Sequence, residues 1–271
     1  MTATPDVEPG AEELLTQRRG PVQWIIFNRP HARNALTWNM YDRLVDACEK
    51  VNADRDVRAV VFTGAGGGAF VAGTDIAQFR TFKTERDALD YEAKGNRVMS
   101  TVESVRVPTI AAIAGPCTGA GAAIANCCDI RIGSPSARYG FPIARTLGNC
   151  LSMANYARAA ALIGIPRLKD LIMRARLMNA QDMLACGLLA ELTADEDSLL
   201  PRAQEMAEEV ASNAPLTLWA TKEALRRVRD QLIPEGQGAD SDLIVACYMS
   251  ADFREGVDSF LAKRKPIWKG E

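Results

Sequence analysis

The segment from Ala111 to Ile132, AAIAGPCTGAGAAIANCCDIRI, decides how this chain folds. It sits in a longer uncharged stretch, Val107 to Cys128, long enough to suggest a membrane span. Gly115-Pro116 interrupts that stretch, Gly119 and Gly121 follow closely, and Asn126 lies inside it, so a single apolar helix is excluded. The pattern predicts a buried strand over Thr109–Ile113, a turn, a small-residue helix from about Gly119, and another strand over Asp129–Ile132. Small residues on a strand-to-helix turn let a second backbone, or a ligand, come very close. The N–H groups at Gly119 to Gly121 are then unpaired donors at a helix start.

Working outward, Val22 to Phe27 (VQWIIF) reads as a strand ended by Asn28-Arg29-Pro30. Thr37 is a suitable cap for a helix to about Asn52, with Met40, Leu44, Val45 and Cys48 at helical spacing. Val57 to Thr63 is nearly continuously apolar, as in a sheet covered on both faces. Asp75 caps a short helix and Thr84 a long one reaching Val105. From Leu151 helices dominate, punctuated by Gly164, Pro166, Gly187 and Pro215. The expectation is an α/β core over residues 19–200, a helical region over 201–271 and a disordered tail over 1–18. Met1 to Glu13 is acidic and lacks the basic and apolar blocks of a signal peptide.

Composition narrows the function. The chain has 271 residues, 48% of them hydrophobic and 6% aromatic, with a net charge of −2. That balance argues against a nucleic-acid partner, and the interrupted apolar stretch argues against a membrane one. The single histidine, His31, excludes a multi-histidine metal site and disfavours a Ser-His-Asp triad, so no metal is expected. Seven scattered cysteines without a CxxC pair point to a reducing, cytoplasmic setting.

Two glycine segments compete as sites. Gly64 to Ala69 matches GxGxxA, but it leads into Phe70-Val71-Ala72-Gly73 and not into a helix, so a dinucleotide fingerprint is disfavoured. In Phe70 to Ile76 the amide of Thr74 lies just outside the helix start capped by Asp75, a plausible donor to an anionic oxygen. Donors from this turn and from the one at Gly119–Gly121 can converge on a single oxygen, as in an oxyanion hole.

Taken in order, Asn28-Arg29-Pro30 with Arg33-Asn34-Ala35-Leu36, FVAGTDI (residues 70–76), the segment quoted first, SARYGFP (136–142) and DFREGVDSFLAKRKPIWKG (252–270) resemble the crotonase, or enoyl-CoA hydratase/isomerase, superfamily. The resemblance covers about Val22 to Lys269. It implies a spiral of ββα turns with a helical C-terminal trimerisation region. The protein would assemble as a trimer or a dimer of trimers, with no tightly bound cofactor. The implied ligand is an acyl-CoA, coenzyme A being part of the substrate. Its thioester oxygen would accept N–H bonds from Thr74 and Ala120. Arg33, Ala35 and Leu36, then Ala72, Asp75 and Ile76, and finally Phe260 and Lys263 fall at the family's substrate and CoA contacts. The last two often act from a neighbouring subunit.

The departures matter as much. Where hydratases of this family carry two glutamates, this chain has Ala123 and Ile143, neither able to move a proton. Isomerase, hydrolase or other crotonase chemistry is therefore as open as hydration, and a non-catalytic acyl-CoA-binding member is the alternative. Cys150 lies near a position that is acidic in other family members. A thiolate at a helix start would have a lowered pKa, whereas a buried structural cysteine would not. Arg145 is placed to compensate substrate charge, and His31 belongs to a surface loop.

Overall fold

The computed structural model describes residues 12–231 and 240–271. The apolar run after Val57 becomes β3 (Ala59–Gly64), an inner strand of the larger of two sheets. Its neighbours give the order β1 (Leu14–Arg19), β2 (Val22–Phe27), β3, β5 (Thr109–Ile113), β7 (Ile130–Gly133), β10 (Glu191–Leu192). The smaller sheet runs β4 (Val71–Ala72), β6 (Pro116–Thr118), β8 (Arg138–Gly140), β9 (Met178–Asn179). From β3 to β8 the strands pair in parallel within each sheet. The chain thus passes three times from large sheet to small sheet to helix, through β3–β4–α2 (Glu85–Glu103), β5–β6–α3 (Ala120–Cys127) and β7–β8 into α4 (Ile143–Thr146) and α5 (Met153–Ile163). This is the expected spiral of ββα turns.

The continuous apolar strands follow from burial on both faces. Val60 and Phe62 join Phe27, Ala111 and Ile113 in the main interior cluster. Ala59 and Val61 face the other way, where Trp24, Ile110, Ala112 and Ile132 lie under α8 (Leu199–Ala211) through Leu199, Ala203, Met206 and Ala207. Helix α1 (Trp38–Ala53) starts as expected, with the Thr37 side chain accepting from the Met40 amide, and buries Met40, Leu44, Cys48 and Val51.

Three expectations need correction. The tail expected through residue 18 gives way at Leu14, because β1 pairs antiparallel with β2 across a turn at Gly20 and buries Leu14; residues 1–11 of that tail lie outside the described residues. The division expected at residue 200 cuts through the core, since α8 covers the large sheet. The helix from Thr84, expected to reach Val105, stops at Glu103, whereas the short helix expected after Asp75 is present as a 3₁₀ helix, Ile76–Thr81. Helices α6 (Ile165–Met173) and α7 (Ala180–Ala185) complete the second half. Beyond α8 come α9 (Pro215–Asp230), no residue of which is buried, then α10 (Ser241–Tyr248) and α11 (Ala251–Leu261). The last two fold back to cover an aromatic cluster beside the 3₁₀ helix.

The tightest joint of the spiral is backbone against backbone. A Cβ on Gly121 would stand 2.1 Å from the Val71 carbonyl oxygen, so only glycine lets α3 begin flush against β4. Gly121→Val is expected to cost more than about 3 kcal/mol, read as a collapsed midpoint in urea unfolding, since neither main chain can move aside. Wild-type stability would show that the joint can open without cost.

Candidate active site

Strands β4 and β6 pair with Val71 opposite Cys117 and Ala72 opposite Thr118. Past this last pair the chain leaves β4 through Gly73 and Thr74 and leaves β6 through Gly119 into Ala120, the first residue of α3. A Cβ on Gly119 would lie 3.4 Å from the Gly73 Cα, so the two chains stay in contact past the last ladder pair. Gly119 holds φ 54° and ψ −119°, a conformation that turns the chain from strand into α3 and that only glycine adopts readily. Neither the Thr74 nor the Ala120 N–H has an acceptor among the described residues, while both flanking amides, Asp75 and Gly119, are bonded. Each of the two chains thus carries one free donor just beyond the end of the small sheet.

The segment Arg33–Leu36 is strapped alongside. The Arg33 carbonyl accepts from the Ala72 amide at 3.1 Å, the Leu36 amide donates to the Gly73 carbonyl at 2.9 Å, and the Asp75 amide donates to the Leu36 carbonyl at 2.9 Å. Leu36 is fully buried, and its amide and carbonyl are both taken up by these bonds. Arg33 and Asn34 adopt left-handed φ of 50° and 58°. The Asn34 side chain supports that bend by accepting from the Arg29 amide and donating to the Ala65 and Ala69 carbonyls. Arg29 donates to the Ala35 carbonyl and pairs with Asp75, which also caps the Ala77 amide. Asp75 is thereby occupied, as its expected capping role requires. Ile76 packs into the aromatic cluster. The Thr74 hydroxyl bonds the Tyr41 hydroxyl at 2.7 Å and the Tyr91 hydroxyl at 3.2 Å, anchoring the turn from below.

Ala123 lies in the first turn of α3 and Ile143 opens α4, both buried. Of the two settings open for Cys150, a helix-start thiolate and a buried cysteine, the thiol lies in the second. It is buried in the aromatic cluster, its Sγ donates toward the Leu243 carbonyl at 3.6 Å, and the adjacent Cys247 thiol with burial pushes it up. Arg145 and His31 are exposed. Phe260, half-exposed, and Lys263 stand at the outer end of α11, whose inner face packs on the 3₁₀ helix of its own chain through Phe253 and Phe79.

The structure adds a group that the motifs did not signal. Glu92 on α2 is buried and accepts from the Tyr248 hydroxyl at 2.5 Å, while that hydroxyl accepts from the Asn149 side-chain amide at 3.1 Å. Burial pushes the Glu92 carboxyl up to about 7, and the Tyr248 bond opposes the rise. One clue was present in the sequence: Ala88, Glu92 and Met99 share a helical stripe, and a glutamate in an apolar stripe is out of place.

An enoyl-CoA hydratase/isomerase family model matches residues 17–271. A short-chain-enoyl-CoA hydratase of Clostridium acetobutylicum is 31% identical over 252 residues, 93% of this chain and 95% of that one. Among solved structures, an enoyl-CoA hydratase/isomerase from Pseudoalteromonas atlantica is similar with a TM-score of 0.81 and 27% identity, covering 95% of this chain and 100% of the other. A methylmalonyl-CoA decarboxylase in complex with 2-nitronate-propionyl-CoA shares the fold, with a TM-score of 0.87 at 24% identity over 96% and 99% of the two chains. The chain belongs to the enoyl-CoA hydratase/isomerase family and has the crotonase fold.

The raised carboxyl has a consequence for stability. Folded Glu92 keeps its proton up to about pH 7, whereas the unfolded chain releases it near 4.5. Its contribution is therefore full below the lower value and is lost as pH rises through the upper one. Between pH 5 and 8 wild type should lose up to a few kcal/mol of unfolding free energy that Glu92→Gln does not lose, measured by urea denaturation of both. Parallel curves would place the carboxyl in contact with water.

Proposed function

We propose that the protein is an acyl-CoA thioester-processing enzyme. In this reading the amides of Thr74 and Ala120 bind the thioester oxygen and stabilise the enolate or tetrahedral oxyanion formed from it. The observation that carries the proposal is that these two amides are unpaired on chains still in contact at Gly73 and Gly119. Names of relatives, an enoyl-CoA hydratase among them, support the thioester as ligand. Arg33, Ala35 and Ala72 lie along the same edge, suiting them to the CoA portion, with Leu36 holding that edge in place through its main-chain bonds and Phe260 and Lys263 as the outer contacts. Asp75 and Ile76 shape the turn without a free polar group of their own.

Hydration is the less favoured reaction. Ala123 and Ile143 can neither activate water nor protonate an α-carbon, so chemistry that runs through the enolate without added water fits these residues better. The same absence favours a second reading, an acyl-CoA-binding member that performs no reaction. Self-association is part of the proposal. Helix α9 exposes Leu216, Trp219, Leu225 and Val228, and we assign their cover to further copies of this chain in a trimer or dimer of trimers.

Calorimetric titration with acyl-CoAs of several chain lengths is expected to give saturable binding, and no response to any of them would remove the proposal. Ala120→Pro then isolates the hole. Proline is tolerated at the first helical position, yet it deletes the N–H. Turnover should fall by about 10²–10³-fold with binding retained. Unchanged turnover on the variant would show that the oxygen is held elsewhere.

A further inference from the structure

Helix α2 buries Ala88, Glu92, Val98, Met99 and Val102, and Gly95 near them is partly buried. Residues advance by 100° in an α-helix, so Gly95 points between the directions of Tyr91 and Glu92, one turn further along. A Cβ built on Gly95 meets nothing within 4 Å, which leaves open space over these two side chains. The Glu92 carboxyl is anchored by one oxygen only. Oε1 accepts from Tyr248, while Oε2 has no hydrogen-bond partner among the described residues and is not among the sealed atoms that lack one. Tyr91, next in the chain, bonds the side chain of Thr74, and α3, which begins at Ala120, packs on α2. The free carboxyl oxygen is therefore carried one residue from the contact with Thr74, in a chain that lacks carboxyls at Ala123 and Ile143.

We propose that Glu92 is the proton carrier of this site, its Oε2 removing and returning the proton at the α-carbon of the bound thioester. The proposal rests on the acyl-CoA reading above. In the forward step the Cα–H bond breaks and its proton goes to Oε2. The C–H electron pair forms the Cα=C bond of the enolate, and the carbonyl π pair moves onto the oxygen held by Thr74 and Ala120. Return of the proton from Oε2 to carbon restores the thioester, and no other reactant is consumed. Asn149 and Tyr248 are positioning residues: their chain of donated hydrogen bonds fixes Oε1 and leaves Oε2 to react. Burial supports the role by keeping both protonation states populated near neutral pH. The titratable groups facing this region are Tyr41 on α1, Tyr91 on α2 and Cys150 and Tyr156 at α5. Asp240, Cys247 and Tyr248 face it from α10, and Asp240 also raises Glu92.

The test is α-proton exchange in D2O with acetyl-, butyryl-, octanoyl- and phenylacetyl-CoA, followed by mass spectrometry from pH 5.5 to 9. Wild type should incorporate deuterium, and Glu92→Gln should lose about 10²-fold or more of the rate while binding the same thioesters. Tyr248→Phe removes the bond that holds the carboxyl down, so the midpoint of the exchange-rate profile should rise by about half a pH unit or more. That shift would be absent if Glu92 served only the fold, and it carries the test should Glu92→Gln not fold. Binding without exchange in wild type overturns this inference, as does exchange unchanged in Glu92→Gln or a profile unmoved in Tyr248→Phe. Absence of binding overturns the acyl-CoA reading itself, and this inference with it.

Discussion

The contact on which the rest of the structure depends is the one between two main chains at the edge of the small sheet, where Gly119 and Gly121 meet Val71 and Gly73 with no side chain between them. Backbone so close fixes the relative height of β4 and β6. That height decides whether the amides beyond them lie level or staggered by a residue. A one-residue slip would bring a different N–H beside Thr74 and reverse which side chains face the core. The register is held from several directions at once. Arg33–Leu36 bonds to one side of the turn, the Tyr41 and Tyr91 hydroxyls hold Thr74 from below, and the Gly119 amide is tied to the Gly140 carbonyl of β8.

Much of this was legible because it is local. Apolar runs bounded by glycine and proline gave the strands, Thr37, Asp75 and Thr84 marked three helix starts, and the small residues from Gly115 to Ala123 announced a close approach. The order of these segments, more than any one of them, pointed to the family. What stayed hidden depends on partners far apart in the chain. Glu92 meets a tyrosine 156 residues away, and no spacing rule joins the two. Cys150 shows the same limit from the other side. Its place before α5 suggested a lowered pKa, but Cys247 and the surrounding apolar side chains set it instead. A thiol's reactivity belongs to its surroundings, and α10 supplies them from nearly a hundred residues further along.

The low aromatic content also reads differently once the rings are located. Trp38, Phe79, Phe82, Tyr91, Tyr248 and Phe253 form one group of edge-to-face and tilted ring contacts beside the amide turn. A second set of large rings, beyond Trp24, Phe27, Phe62 and Tyr139 in the sheets, thus lies where the C-terminal helices close over the spiral. Such a lining excludes water and lowers the local dielectric. That strengthens any hydrogen bond to a charged oxygen and penalises any carboxylate left without a partner. Glu92 is raised by this environment, and Tyr248 and Asn149 limit the rise.

The same setting explains what replacing two glutamates changes. Helix α3 begins at Ala120 with its amides unpaired, so its start carries partial positive charge. A carboxylate at position 123, in the first turn, would neutralise part of that charge and hold a water near the thioester. With alanine there, the charge remains available to an oxyanion and no side chain orients water. Isoleucine at 143 is likewise buried and brings no polar group. On the acyl-CoA reading proposed above, the two residues act in one direction: they favour an anion on the thioester oxygen and disfavour addition of water across a neighbouring double bond. On that reading an enolate formed in such a pocket still needs one base, and because that base is neutralised as it takes the proton, the single negative charge moves from carboxyl to oxygen and is never doubled. A carboxyl on α2, held by α10 through Tyr248, would take the proton while leaving the partial positive charge at the start of α3 to the oxyanion alone.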